Sequence, residues 1–146
     1  MIPAFDRRGN LPPGIHKASW EELARRYGTT PHRQKLLSGL EAACQELRRA
    51  GCRRVYADGS FVTSKGVPAD FDGCWSVGET DLSKLDPVLQ DLSSGRAAQK
   101  AKYFGGLFPA ELPEGATGKS FLEFFQRDRR TREAKGIVEL KLEEMP

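Results

Sequence analysis

The chain predicts an α+β fold, a small mixed sheet with helices packed mainly on one face. Three observations predict it. Two helical patterns come first, before any strand. Short alternating segments follow near residues 53–58, 69–77 and 137–142. Between them lie Gly- and Pro-bearing loops and further helical stretches, with no repeat and no low-complexity segment. At 146 residues the chain suits one domain, since a chain of this size buries about 68–70% of its unfolded surface.

The elements follow from local chemistry. Residues 1–18 hold three prolines and two glycines and predict an extended N-terminal arm, leaving 19–146 as the domain. Ser19-Trp20-Glu21-Glu22 is a capping box. The short helix it opens carries Trp20, Leu23, Ala24 and Tyr27 on one side and ends at Gly28. Thr30-Pro31 restarts a helix with proline at its favoured first position. There Leu36, Leu40, Ala43, Cys44 and Leu47 form an apolar stripe of period 3.6, and Gly51 stops it. Strand 53–58 leads into the turn Gly59-Ser60, a polar loop and a second strand at about 69–77. Pro87 predicts a helix within 83–93, Arg96–Lys102 a second helical stretch, 103–109 a third strand, Ser120–Arg130 a helix and 137–142 a final strand.

Composition narrows the function class. The net charge is +3, from 23 basic and 20 acidic residues. That balance leaves nucleic-acid binding possible but not indicated. No apolar run reaches the ~18–20 residues of a membrane helix, and the N-terminus lacks the apolar core of a signal peptide. Cys44, Cys52 and Cys74 are odd in number and widely spaced, which suggests a reducing compartment, by default the cytoplasm.

The most informative stretch runs from Gly59 to Asp72. Asp70 and Asp72 stand two apart, so on a strand their side chains share a face, about 6.6 Å apart along the chain. Phe71, Trp75 and Val77 then face the other way, into a core. Two carboxylates beside a Gly-Ser turn suit Mg²⁺, which takes one or two carboxylates and fills its octahedron with phosphate oxygens and water. Gly59 lets backbone approach a phosphate, and the Ser60 amide and hydroxyl can bond its oxygens. Lys65, in the loop, can add a charge, although a solvated loop lysine is the simpler reading.

This spacing resembles the nucleotidyltransferase superfamily of the DNA polymerase beta type, in which a hydrophobic residue and Gly-Ser precede Asp-x-Asp. Here nine residues separate Ser60 from Asp70. The order helix, strand, Gly-Ser, strand extends the likeness to about residues 31–77. Within that superfamily the chain looks most like the small bacterial minimal nucleotidyltransferases. Leu11-Pro12-Pro13-Gly14-Ile15-His16 and Gly59-Ser60-Phe61-Val62-Thr63 also resemble a related bacterial family of unassigned function. The resemblance implies Mg²⁺-dependent transfer of a nucleoside monophosphate from an NTP to an acceptor hydroxyl. The acceptor could be a partner protein, an RNA end or a small molecule, and a partner protein such as a cognate toxin is the one it suggests first. Asp70 and Asp72 would be catalytic and metal-holding; Gly59, Ser60 and Lys65 would bind the nucleotide. Active members usually carry a third carboxylate on a later strand. Here Gly106 stands where an acid is expected, with Glu111 and Glu139 as distant substitutes. The alternative is a catalytically silent module of the same fold, such as an antitoxin acting by binding.

Other motifs weigh less. Gly118-Lys119-Ser120 has Pro113 where a P-loop needs glycine, so a helix start after a turn is the simpler account. Arg127, Arg129, Arg130, Arg132 and Lys135 form the densest basic cluster, either a solvated helix end or a contact for phosphate or an acidic partner. His16 and His32 are isolated and predict surface or cap roles.

Overall fold

The computed structural model describes residues 1–146 and has the α+β architecture. Strand β1 (Gly14–Ala18) is followed by helices α1 (Trp20–Tyr27) and α2 (Pro31–Arg49), then β2 (Arg54–Asp58) and β3 (Phe71–Trp75). Helix α3 (Ser93–Tyr103), β4 (Gly105–Pro109), the single-turn helix α4 (Phe121–Phe124) and β5 (Gly136–Lys141) complete it. The sheet order is β1-β5-β2-β3-β4. β2 runs antiparallel to β3 and β5, while β1 lies parallel to β5 and β4 parallel to β3.

The alternation of β3 decides the layers. Phe71 and Trp75 point into the main core with Val55, Ala57, Leu107, Val138 and Leu140, under α1 and α2. The stripe of α2, with Leu36, Leu40, Ala43, Cys44 and Leu47, is buried against them. The opposite sheet face holds Tyr56, Cys74 and Ile137, covered by the aromatic cluster of Phe108, Phe121 and Phe125. Phe108 and Phe121 stack at 4.4 Å, so α4 is held by side-chain packing rather than by its own four residues.

The predicted Ser19 cap forms, and Thr30 ahead of Pro31 caps α2: Ser19 Oγ accepts from the Glu22 amide and Thr30 Oγ1 from the Arg33 amide, each at 3.1 Å. Glu22, however, does not close the capping box. Its carboxylate accepts from the Ile2 amide at 2.7 Å, and Arg26 donates to the Ile2 and Pro3 carbonyls. The N-terminal arm is thereby part of the fold. Ile2 and Leu11 are buried, and residues 14–18 join the sheet as β1.

Three expected elements differ. The helix at 83–93 is two short 3₁₀ turns, Leu82–Lys84 and Pro87–Gln90, because Asp81 and Asp86 hydrogen-bond the amides two residues ahead and fold the chain locally. The Ser120–Arg130 helix stops at Phe124. Asp128 accepts from the Arg130 and Thr131 amides, and residues 127–134 turn back as a small hairpin. The third strand begins at Gly105, since Tyr103 still belongs to α3. No helix is long and apolar enough to cross a membrane.

Candidate functional site

One end of the sheet gathers the polar groups. β2 ends at Asp58, and β3 and β4 begin at Phe71 and Gly105. Asp58 lies directly opposite Asp72, and Asp72 lies beside Gly106. The turn after β2 is built for close approach. Gly59 has φ 74° and ψ −167°, a conformation open to glycine alone. A Cβ at Gly59 would stand 2.5 Å from Asp72 Oδ2. The expected neighbours Gly59 and Asp72 are therefore in contact.

The loop from Ser60 to Asp70 is held from below by residues the motif did not mark. Arg33 is 4% exposed and donates to the carbonyls of Phe61, Thr63 and Lys65. Tyr27 donates to the Val62 carbonyl at 2.9 Å. His32 Nε2 meets the Pro68 carbonyl, a clamp rather than a free surface position. Desolvation lowers the Arg33 pKa, and its bonds to the three carbonyls make it the loop's anchor. Arg33 follows the Thr30 cap by three residues, which places it on the first turn of α2; its burial was not legible from that spacing.

Asp70 lies just before β3, and Asp72 lies within it. Each meets a cation of α3. Arg96 Nη1 donates to Asp72 Oδ1 at 2.9 Å, and Lys100 Nζ stands 3.4 Å from Asp70 Oδ2. Arg96 and Lys100 are four residues apart on α3, a spacing that matches two positions along a strand. Ser94, Gly95 and Arg96 all have positive φ, so Arg96 enters the site from a left-handed turn ahead of the regular helix. Gln99 sets the register of that helix. Fully buried, it donates to the Leu107 carbonyl and accepts from the Leu107 amide at 2.8 Å, covering the edge of β4.

Gly106 acquires a meaning different from that of a missing acid. A Cβ there would lie 2.3 Å from Arg96 Nη1. The absent side chain is the space in which the Arg96 guanidinium lies, with its other face 4.5 Å from the Phe108 ring centroid. Neither distant acid replaces it. Glu111 accepts from the Val77 amide at 2.7 Å, beyond the far end of β3. Glu139 pairs with Arg54 at 3.8 Å and sits on β5, with β2 between it and β3.

Asp58 is the carboxyl that the motif reading passed over. It is fully buried, and its Oδ1 has no hydrogen-bond partner. Desolvation first and the neighbouring Asp72 second raise its pKa well above the ordinary value. Desolvation and Asp70 also raise Asp72, opposed by Arg96. The signal was the dipeptide Asp58-Gly59: an acid that ends a strand directly after the apolar run Val55-Tyr56-Ala57.

Of the expected nucleotide-binding residues, Gly59 adjoins Asp72 and Ser60 follows it as the first residue of a 3₁₀ turn, its hydroxyl making no hydrogen bond within the protein. Lys65 lies in the loop that follows Ser60. Its carbonyl is tied to Arg33, its side chain is exposed, and no acid pairs with it. Beside Asp70 lies instead a hollow of about 190 Å³ lined by His32, Lys35, Lys100 and Phe104. No three His, Cys, Asp or Glu side chains cluster closely enough to form a metal cage. Asp70 and Asp72 still offer the hard oxygen donors that Mg²⁺ shares with phosphate and water.

No curated protein and no solved structure matches the chain. A family model does, over residues 3–141, nearly the whole fold including β1, the Gly59 turn and the Arg96–Asp72 pair. The chain belongs to the family of unknown function DUF6932.

Proposed function

We propose that the protein transfers a nucleoside monophosphate from an NTP to an acceptor hydroxyl, using the end of the sheet where Gly59, Ser60, Asp70 and Asp72 meet. The observation that carries this reading is the contact of Asp72 with Gly59. A carboxylate lies against the positive-φ turn at Gly59, with a serine next in the chain. Asp70 and Asp72 would hold Mg²⁺, which supplies charge stabilisation for phosphoryl oxygens when bound. Ser60 orients the phosphate tail through its hydroxyl. Arg96 and Lys100 compensate the carboxylates and turn toward phosphate oxygens when those arrive. The hollow beside Asp70 leaves room for the rest of the nucleotide along Lys35 and Phe104. A partner protein such as a cognate toxin remains the acceptor suggested by the resemblance.

A specific observation favours a second reading. Arg96 fills the space over Gly106 and pairs with Asp72, as a permanent counter-ion would in a silent module that binds without transferring. Thermal unfolding with each NTP and Mg²⁺ tests the first reading. A ligand at a hundred times its Kd stabilises by about 2.7 kcal/mol, and Asp70→Asn with Asp72→Asn should abolish that shift. Mass spectrometry of a partner after incubation with Mg²⁺ and NTP then separates the two. An added nucleoside monophosphate, absent with the double variant, supports transfer. A stable complex whose partner has unchanged mass supports the silent module.

A further inference from the structure

The segment between β4 and β5 forms a second polar centre that the carboxylate site does not use. Two small hairpins flank α4. One brings Pro113 opposite Ser120; the other brings Arg127 opposite Ala134. Between them is a cleft of about 330 Å³ lined by Lys119 on one side, Arg127, Arg129 and Arg132 on the other, and Phe124. None of these four cations has an acidic partner, although eight ion pairs occur elsewhere in the protein. Asp128, the one acid lining the cleft, is committed to its own turn. It accepts from the Arg130 and Thr131 amides, which lower its pKa.

The arrangement is built rather than incidental. Arg132 has φ 61°, a left-handed conformation unusual for arginine. Its carbonyl accepts from Arg127 Nη1 at 3.2 Å, which ties the two sides of the hairpin together. Asp128 closes the turn between them. Cations gathered without counter-ions repel one another, and a bound polyanion relieves that repulsion. Guanidinium planes beside the half-buried Phe124 ring suit an alternation of phosphate and flat base rather than a carboxylate surface.

From this geometry we infer that the cleft between the two hairpins binds single-stranded RNA, its phosphates on Lys119, Arg127, Arg129 and Arg132 and a base on Phe124. The hairpin leads directly into Gly136, at the same end of the sheet as Asp58 and Asp72, and the charge of Lys135 reaches Asp58. Binding itself does not depend on the nucleotidyl-transfer reading.

Fluorescence anisotropy with a labelled 12-nucleotide single-stranded RNA, without Mg²⁺ or NTP, tests this. Affinity should fall with salt at a log–log slope of about −3, as four phosphate contacts on a single strand require. Arg129→Glu with Arg132→Glu should weaken binding about tenfold or more and flatten the slope. Phe124→Ala should weaken it about fivefold or more with the slope retained. Circular dichroism confirms that each variant is folded. Because Phe124 also packs edge-on against Phe125, Phe124→Tyr provides a control and should bind like the parent. Parental affinity no better than that of the double charge reversal overturns the proposal. Equal affinity for a polyglutamate peptide, insensitive to Phe124→Ala, also overturns it in favour of an acidic protein partner. Since the assay contains no nucleotide, loss of nucleotidyl transfer would leave its outcome unchanged.

Discussion

The two polar regions of this molecule treat their cations in opposite ways. At the carboxylate end of the sheet three cations have fixed partners: Arg96 on Asp72, Lys100 on Asp70, and Arg33 on three loop carbonyls. In the two-hairpin cleft, Lys119, Arg127, Arg129 and Arg132 have no acidic partner. The first arrangement fixes geometry, because a buried charge is tolerated only where hydrogen bonds compensate its lost hydration. The second leaves its charge to whatever arrives from solution. Position in the fold explains the difference. Asp72 and Arg33 sit under helices, while the hairpins project from α4, whose own packing is aromatic.

The largest effect that would break this contrast is at Arg33. Arg33→Ala removes three donors to the 61–65 loop and should cost about 3 kcal/mol, or roughly 10 °C in Tm. The nucleotide-dependent shift should vanish with it. An Arg33→Ala protein within a degree of the parent would mean that the loop is held by other contacts.

Asp58 comes next. A carboxyl whose pKa is raised on folding favours the native state at low pH. That contribution is lost as pH rises from the ordinary value of 3.8 through the higher folded value. Asp58→Asn, neutral at every pH, should therefore raise Tm at pH 7 by about 3 °C or more, with the gain shrinking toward pH 4. Asp72 shifts in the same direction, so the parent should also lose stability with rising pH over this window. A gain that is constant with pH would show that the ionised form of Asp58 carries no penalty.

Gly106→Ala is a subtler probe. The new Cβ meets the mobile end of Arg96 rather than backbone, so the guanidinium must swing away from Asp72. The expected cost is about 1 kcal/mol, accompanied by stronger Mg²⁺-dependent stabilisation in the presence of NTP as Asp72 becomes free. Weaker stabilisation would make Arg96 part of the nucleotide site rather than a competitor for Asp72. The smallest effect is expected in the cleft: Arg129→Ala should change stability by no more than about 0.5 kcal/mol, as a cation without a partner can be removed without stranding one. A larger loss in chemical denaturation would show that Arg129 has a structural role.

The local elements were legible in the sequence because their causes are local. Ser19 and Thr30 cap helices through amides three residues away. The stripe of α2 and the alternation of β3 separate Phe71 and Trp75 from Asp70 and Asp72 by period alone. The Gly59-Ser60 turn and the following carboxylates were visible for the same reason. Where a competing local bond intervened, the pattern misled: Asp128 turned the end of an expected helix into a hairpin, and Asp81 and Asp86 broke the one expected at 83–93 into two 3₁₀ turns.

Tertiary structure decided the rest, because pairing across the sheet and burial depend on residues distant in the chain. It joined residues 14–18 to β5, set Asp58 opposite Asp72, and put Arg33 beneath the loop in the anchoring role while Lys65 stayed in solvent. It also gave Gly106 its function. In the sequence Gly106 is a position without an acid; in the fold it is the room that Arg96, ten residues earlier, needs to reach Asp72. Helix and strand periods report which face a side chain occupies. They do not report which side chain from another element meets it there, and that meeting sets the charge balance of the site.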